Sequence, residues 1–423
     1  MSAEVDLWQA IAAAASDGDV AAVMRNRQRD VDDHAWAALS GVARATTPIP
    51  FVAVAYFLDS AIRQGGLDSK ERRAHVIGAC RAFFQNTSSA PFDEAPERIC
   101  SITKALLALT SDLRELILPL RRCLHQVYVP RNLQTPLHTL FLLVCLRNGV
   151  YEPALPIISA PVYGFQPKNL PTPQEHLQYH YYAGMVFAAL KRFPAALAEF
   201  DIVLSAVSTK LSAIQIEAYK KRALINLIVH GTDPVRLPRY CSTTVLKTID
   251  GASLPYGTFL GAAQAGLPAF EAALIDHQAT LADDKNLGLA KQAMKSLRKR
   301  QVRKLADSYL TLSLVDVAEA AGVASQDAAQ ALVFEMIDEG SLFASIDQQT
   351  AMLTFGEPRD DFDDEDATTA LLDQLRRVNE YHDRVLEANL ELATYTPYLK
   401  RVVDVPQATA AQSSCQDSQY QFA

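Results

Sequence analysis

Residues 336–355 read MIDEGSLFASIDQQTAMLTF: the end of a helical pattern, then two short alternating runs around the polar turn Gln348, Gln349 and Thr350. Alternation of apolar and polar residues is the period of a strand with one buried face, and a short polar turn joins two such strands into a hairpin. Upstream, SQDAAQALVFEMIDEG has Ser325 where an N-cap side chain accepts from the first turn and Gly340 where a helix closes. Before that, LSLVDVAEAAGV, from Thr311, reads as a short helix ended by Gly322. Helix, helix, strand, strand is the outline of a winged helix, a module known for laying one helix in the DNA major groove.

The charges of this module argue against that use. From Thr311 to Phe355 there are seven acidic residues (Asp316, Glu319, Asp327, Glu335, Asp338, Glu339 and Asp347) and no Lys or Arg. Affinity for duplex DNA comes largely from cationic side chains that displace counterions from phosphate, so this face is repelled. Only Gln326 and Gln330 remain for base reading. The wing strands Leu342 to Ile346 and Ala351 to Phe355 are available for something else, because an open sheet edge pairs with a neighbouring chain through main-chain hydrogen bonds.

Immediately upstream, residues 287–305 contain LGLAKQAMKSLRKRQVRKL, with seven basic residues from Lys291 to Lys304 and an apolar stripe of Ala290, Met294 and Leu297. This basic helix is the one place where nucleic acid or an import receptor could bind. The plainer reading is a solvated helix face over buried Met294, Leu297 and Leu305, and a third is a charge contact with the acidic wing.

From Val5 to about Gly231 the chain is a succession of helical patterns with Pro-rich breaks at 46–50, 86–98 and 160–174. Ile102, Leu106, Leu109, Leu113, Leu116 and Leu120 recur at three- and four-residue spacing, which places them on one face of a helix. In YYAGMVFAALKRFPAALAEFDIVL, Gly184, Phe187, Ala196 and Phe200 have the spacing of a tetratricopeptide-like hairpin, with Pro194 in the first turn of its second helix. EAYKKRALINLIVHG (217–231) reads as a degenerate continuation. The fold class is therefore mainly α: a helical-repeat, TPR-like solenoid, then the winged helix, then a C-terminal helix.

That last helix follows the acidic stretch EPRDDFDDED (357–366). Its Leu371, Leu375, Val378, His382, Val385, Asn389 and Leu392 alternate by four and three, a heptad seam suited to a helical bundle. The tail from Asp404 has too little apolar surface to fold alone.

Globally, 423 residues with 49% hydrophobic content can bury a large core, and a net charge of −8 creates no field that attracts a polyanion. Of the six cysteines, Cys80, Cys100, Cys123, Cys145 and Cys241 sit in apolar helical patterns without CxxC spacing, and Cys415 lies in the polar tail. That usage points to a reducing compartment. The N-terminal helix has Glu4 and Asp6 and no basic segment, so an intracellular protein is expected.

Chemistry is not written in the motifs. EHLQYH places His176 and His180 four apart, but the Glu that follows the first His in a zinc-protease helix is replaced by Leu177. GxxxxGK[ST], GxGxxG and GxSxG are absent, as is a His-x-His site of the metal isopeptidase kind. No catalytic residue, metal ligand or cofactor is expected.

A helical stack followed by a winged helix and a terminal helix resembles the PCI-domain family, the scaffold subunits of the proteasome lid, the COP9 signalosome and a translation initiation factor. YHYYAGMVFAALKRFPAAL, IEAYKKRALINLIVHG, NLGLAKQAMKSL, YLTLSLVDVA and MIDEGSLFASIDQQTAMLTF resemble the third-subunit branch of the signalosome in wording and order, over about 179–355. The resemblance implies a non-catalytic scaffold of a complex that removes a ubiquitin-like modifier from cullins and so regulates cullin-RING ubiquitin ligases, working in cytoplasm and nucleus. It implies other signalosome subunits as partners, with cullin-RING ligases as further ones, and neither a membrane nor nucleic acid. A proteasome-lid or initiation-factor subunit, and a nucleic-acid-binding PCI protein, are the alternatives.

On that reading the domains are a repeat arm (1–200), a PCI module (201–356, its helical part 201–308 and winged helix 309–356), an acidic linker (357–367), an assembly helix (368–400) and a disordered tail (401–423). Winged helices of the family associate edge to edge, which implies interface roles for Leu342, Phe343, Ala344, Ser345, Ile346, Met352, Leu353 and Phe355. C-terminal helices of the family gather into a bundle, which implies the same for Leu371, Leu375, Val378, Val385 and Leu392.

Overall fold

A computed structural model describes residues 2–42, 50–64, 70–86, 90–109, 114–128, 133–160, 162, 164–165, 170–206, 210–231, 237–238, 241–252, 254–356, 365–396 and 399. In the first half of the chain the helices are α1 (Ser2–Ala13), α2 (Asp17–Asn26), α3 (Gln28–Val42), α4 (Phe51–Arg63), α5 (Lys70–Asn86), α6 (Ala90–Glu94), α7 (Pro96–Leu109), α8 (Arg114–Val127), α9 (Pro136–Asn148) and α10 (Leu155–Ile158). Two residue pairs, β1 (Leu133–Gln134) and β2 (Gly164–Phe165), form a small parallel bridge. Then come α11 (Pro173–Ala189), α12 (Phe193–Ser205), α13 (Ala213–Val229), α14 (Thr243–Ala252), α15 (Leu254–Ala265), α16 (Leu267–Asp276), α17 (Gln278–Asp283) and α18 (Leu287–Ala306). The winged helix is β3 (Thr311–Ser313), α19 (Leu314–Ala320), α20 (Gln326–Asp338), β4 (Ala344–Asp347) and β5 (Met352–Phe355), and α21 (Glu365–Thr394) follows.

The repeat hairpin forms where its small and aromatic residues predict. Gly184 on α11 lies directly against buried Phe200 on α12, so close that a Cβ would stand 2.7 Å from the ring. Thr172 and Glu175 close a capping box at the start of α11, and Pro194 stands in the first turn of α12. Buried side chains from Leu7 to Ile225 make one continuous core. Residue 200, the expected end of the arm, falls inside α12, and the helices on both sides of it share that core. Helix α13 then serves two cores, since its Ala218 and Ile225 pack into the first and its Leu224 and Leu227 into a second with Phe259, Phe270 and Leu297. Arg222, buried on the same helix, is neutralised by Asp201.

Several expectations need correction. The apolar face from Ile102 to Leu120 belongs to two helices, α7 and α8, with 110–113 outside the described residues. A 3.6-residue period continues across a helix break whenever both helices bury the same core, so periodicity alone joins them. The break at 86–98 contains α6, and Pro96 opens α7. Leu305 is half-buried.

Thr311–Ser313, read as the start of a helix, is strand β3. It pairs antiparallel with β5 in the register Thr311↔Thr354, Leu312↔Leu353 and Ser313↔Met352. Ser313 then turns the chain by accepting from Asp316 N at 3.1 Å as the N-cap of α19. Strand β4 starts at Ala344, so Leu342 and Phe343 precede it. The sheet order is β3-β5-β4, which makes β5 the central strand. Ser325 and Gly340 cap α20 as expected, Ser325 Oγ accepting from Ala328 N at 3.2 Å and Gly340 taking φ +66°.

Two compact units divide the chain, 1–342 with 346–354 and 343–345 with 355–423. Within the second, Gly356 N donates to Phe343 O at 2.8 Å, and α21 supplies the C-terminal helix, ending at Thr394 by its helical pattern. Residues 357–364 of the expected linker and the expected tail 401–423 lie outside the described residues.

Candidate assembly surfaces

The basic helix and the acidic winged helix meet each other. On α18, Lys295 Nζ lies 2.5 Å from Glu335 Oε2 of α20, and Lys299 Nζ lies 3.0 Å from Glu335 Oε1 and 2.6 Å from Glu339 Oε2. Hydrogen bonds from Lys295 and Lys299 hold the Glu335 carboxyl down at about 2. Burial by itself lowers Lys299, but Glu339 and Glu335 outweigh it and the ammonium is raised. Arg300 donates to the carbonyls of Ile228 and Val229 at the end of α13, where unpaired carbonyls and the helix dipole favour a cation. Arg298 reaches Glu271 of α16 at 3.4 Å. Four cations of the stripe thus have partners within the fold, and two of them, Lys295 and Lys299, join α18 to the winged helix.

The wing strands fall into two groups. Leu353 and Phe355 are buried and Met352 is half-buried on the central strand β5, which is flanked by β3 and β4. The sequence treats β5 as an available edge; with β3 on its other side it offers none, and Leu353 and Phe355 are buried rather than presented to a neighbour. The edges belong to β3 and β4. On β4, Ala344 and Ile346 are half-buried and Ser345 is exposed; just before it, Leu342 is buried and Phe343 exposed. The wing turn is organised by Asp347, which accepts from Gln349 N at 2.9 Å and Thr350 Oγ1 at 2.7 Å while Ala351 takes φ +54°.

The seam of α21 is solvent-facing. Leu371, Leu375, Val378, Val385 and Leu392 are all exposed, from 50% at Leu392 to 67% at Val385. Leu372 and Leu386, each one position past a seam residue, are exposed as well and widen the stripe to the breadth of a bundle-packing face. The four-three alternation passes over them because it records only two positions in seven. Phe334, exposed on α20, also escapes a reading that looks for periodic burial.

The paired histidines have structural partners. His180 Nδ1 is 2.7 Å from Glu199 Oε2, and His176 Nδ1 is 2.9 Å from Gln134 Oε1. Burial and the neighbouring His180 push His176 down to about 4, so it is neutral at physiological pH. Glu175 is engaged by Thr172 in the helix cap and by Lys104 at 3.0 Å. Among the described residues no group of three or more His, Cys, Asp or Glu could hold a metal ion. Cys80, Cys100, Cys123, Cys145 and Cys241 are buried free thiols; Cys415 lies outside the described residues. Among the described residues no helix is long and apolar enough to cross a membrane.

Comparison with known proteins finds two family matches along the chain. Residues 26–245 match the family described as COP9 signalosome complex subunit 3, N-terminal helical repeats, and residues 274–357 match the PCI domain. A protein of Arabidopsis thaliana named COP9 signalosome complex subunit 3 is 32% identical over 305 residues, 71% of this chain and 69% of its own length. A protein of the same name from Dictyostelium discoideum is 29% identical over 363 residues, 81% of this chain and 83% of its own.

Proposed function

Because the chain belongs to the COP9 signalosome complex subunit 3 family, we propose that it is a non-catalytic scaffold subunit of that complex. Its work on this reading is to position neighbouring subunits in an assembly that strips a ubiquitin-like modifier from cullins, in cytoplasm and nucleus. The free edge of β4 pairs with the winged helix of a neighbour, and α21 enters a helical bundle with the C-terminal helices of other subunits.

The observation that carries the reading is the exposed seam of α21. A 30-residue helix with Leu371, Leu375, Val378, Val385 and Leu392 all facing water leaves apolar surface whose burial is worth about 25 cal/mol per Å². Bundling buries it. A nucleic-acid role is disfavoured because Lys299 and Arg300 already contact acids or carbonyls of the chain itself and the winged helix carries no Lys or Arg.

Tagged full-length protein, recovered from its own cells, tests this. Other signalosome subunits are expected to come with the wild type and to be lost from the double variant Leu375→Asp, Val378→Asp. A chain that is recovered alone, or a variant that keeps its companions, overturns the proposal.

A further inference from the structure

One face of α18 carries three cations, of which Lys295 and Arg298 make the ion pairs described above and Lys291 makes none among the described residues. Lys291, Lys295 and Arg298 stand at i, i+4 and i+7, so they form a single row along the helix. The row lines a groove of about 490 Å³ bounded by α16, α18 and α20, a size typical of ligand sites. Its floor is apolar, from Met294 and Leu332, both buried, and half-buried Leu274.

The two acids in this groove are already engaged. Glu335 has Lys299 as well as Lys295, so Lys295 can turn to a ligand without stranding a carboxylate. Glu271 meets Arg298 only at 3.4 Å, and Arg298 Nε is buried without a hydrogen-bond partner. A buried donor left unpaired costs free energy that a ligand oxygen would recover. Lys291 is exposed, and no ion pair of it occurs among the described residues.

We propose that this groove binds an acidic segment of a partner protein, with one apolar side chain seated on Met294, Leu274 and Leu332 and carboxylates meeting Lys291, Lys295 and Arg298. Charge complementarity selects the acidic character, and the greasy floor selects a peptide over a phosphate backbone. The site requires nothing of the assembly role proposed above and is open to test in the isolated full-length chain.

The probe is the fluorescein-labelled peptide DDELFDED, followed by anisotropy at low salt with KKRLFRKK as the reversed-charge control. Saturable binding of the acidic peptide and none of the basic one is expected. Lys291→Glu should weaken it about tenfold, the scale of one charge-assisted hydrogen bond lost. Ala331→Trp, which fills the groove from an exposed position on α20, should abolish it. Each variant is matched to the wild type by circular dichroism, and either alone suffices as the test. No binding by the wild type at millimolar peptide, wild-type affinity in a folded variant, or displacement of the peptide by a 20-base-pair duplex overturns the proposal.

Discussion

Lys299 of α18 places its Nζ 3.0 Å from Glu335 Oε1 of α20, so a base from the helical part of the PCI region neutralises an acid of the winged helix 36 residues away. The pair is completed by Lys295 on the other carboxylate oxygen and by Glu339 on Lys299. The same helix that looks like a nucleic-acid stripe is in large part the electrostatic partner of the module that follows it.

This network makes stability depend on acid. A carboxyl held near 2 when folded and near 4.5 when unfolded stabilises the fold at neutral pH, and that contribution fades as pH falls from about 4.5 toward 2. The pair is partly exposed, so its worth is about 0.5–1 kcal/mol rather than the full shift. Glu335→Gln should therefore lower the melting temperature at pH 7 and match the wild type near pH 2. An equal difference at both pH values would refute the linkage.

Gly184 is expected to be intolerant of any side chain. An added Cβ would meet Phe200 at 2.7 Å in a core where Phe200 is fully buried. Gly184→Ala should cost about 1–3 kcal/mol in urea denaturation through overpacking. Trimming the ring in Gly184→Ala, Phe200→Leu should recover part of that loss.

Helix α20 depends on Ser325. Its Oγ accepts from Ala328 N at 3.2 Å, and Ser325→Ala leaves that donor to water. A loss of about 1 kcal/mol follows, read by chemical denaturation, while Ser325→Asp should be close to neutral.

Cys80, Cys123 and Cys145 should resist alkylation in the native protein. Burial pushes each thiol up to about 12, which leaves roughly one in ten thousand as thiolate at pH 8. Iodoacetamide followed by peptide mass spectrometry should find them unmodified until denaturant is added. Rapid native labelling would show that the helices around them open.

Short-range features were legible because their causes are short-range. The Ser325 cap, the Gly322 and Gly340 closures and the Gly184–Phe200 hairpin each depend on residues within one helix or one helical hairpin. The alignment of the α21 seam was legible for the same reason, since helix periodicity alone lines up Leu371 through Leu392, whereas its exposure to solvent was not.

Tertiary structure alone decided the rest. Thr311–Ser313 is too short to show a strand period, and it is a strand only because Met352–Thr354 lies alongside it. That same pairing turned β5 from an edge into a central strand and left β4 to face outward. Which lysine meets which glutamate was equally hidden, because ion pairing across 36 residues depends on where two helices dock, whereas capping and periodicity are settled within a few residues by backbone geometry.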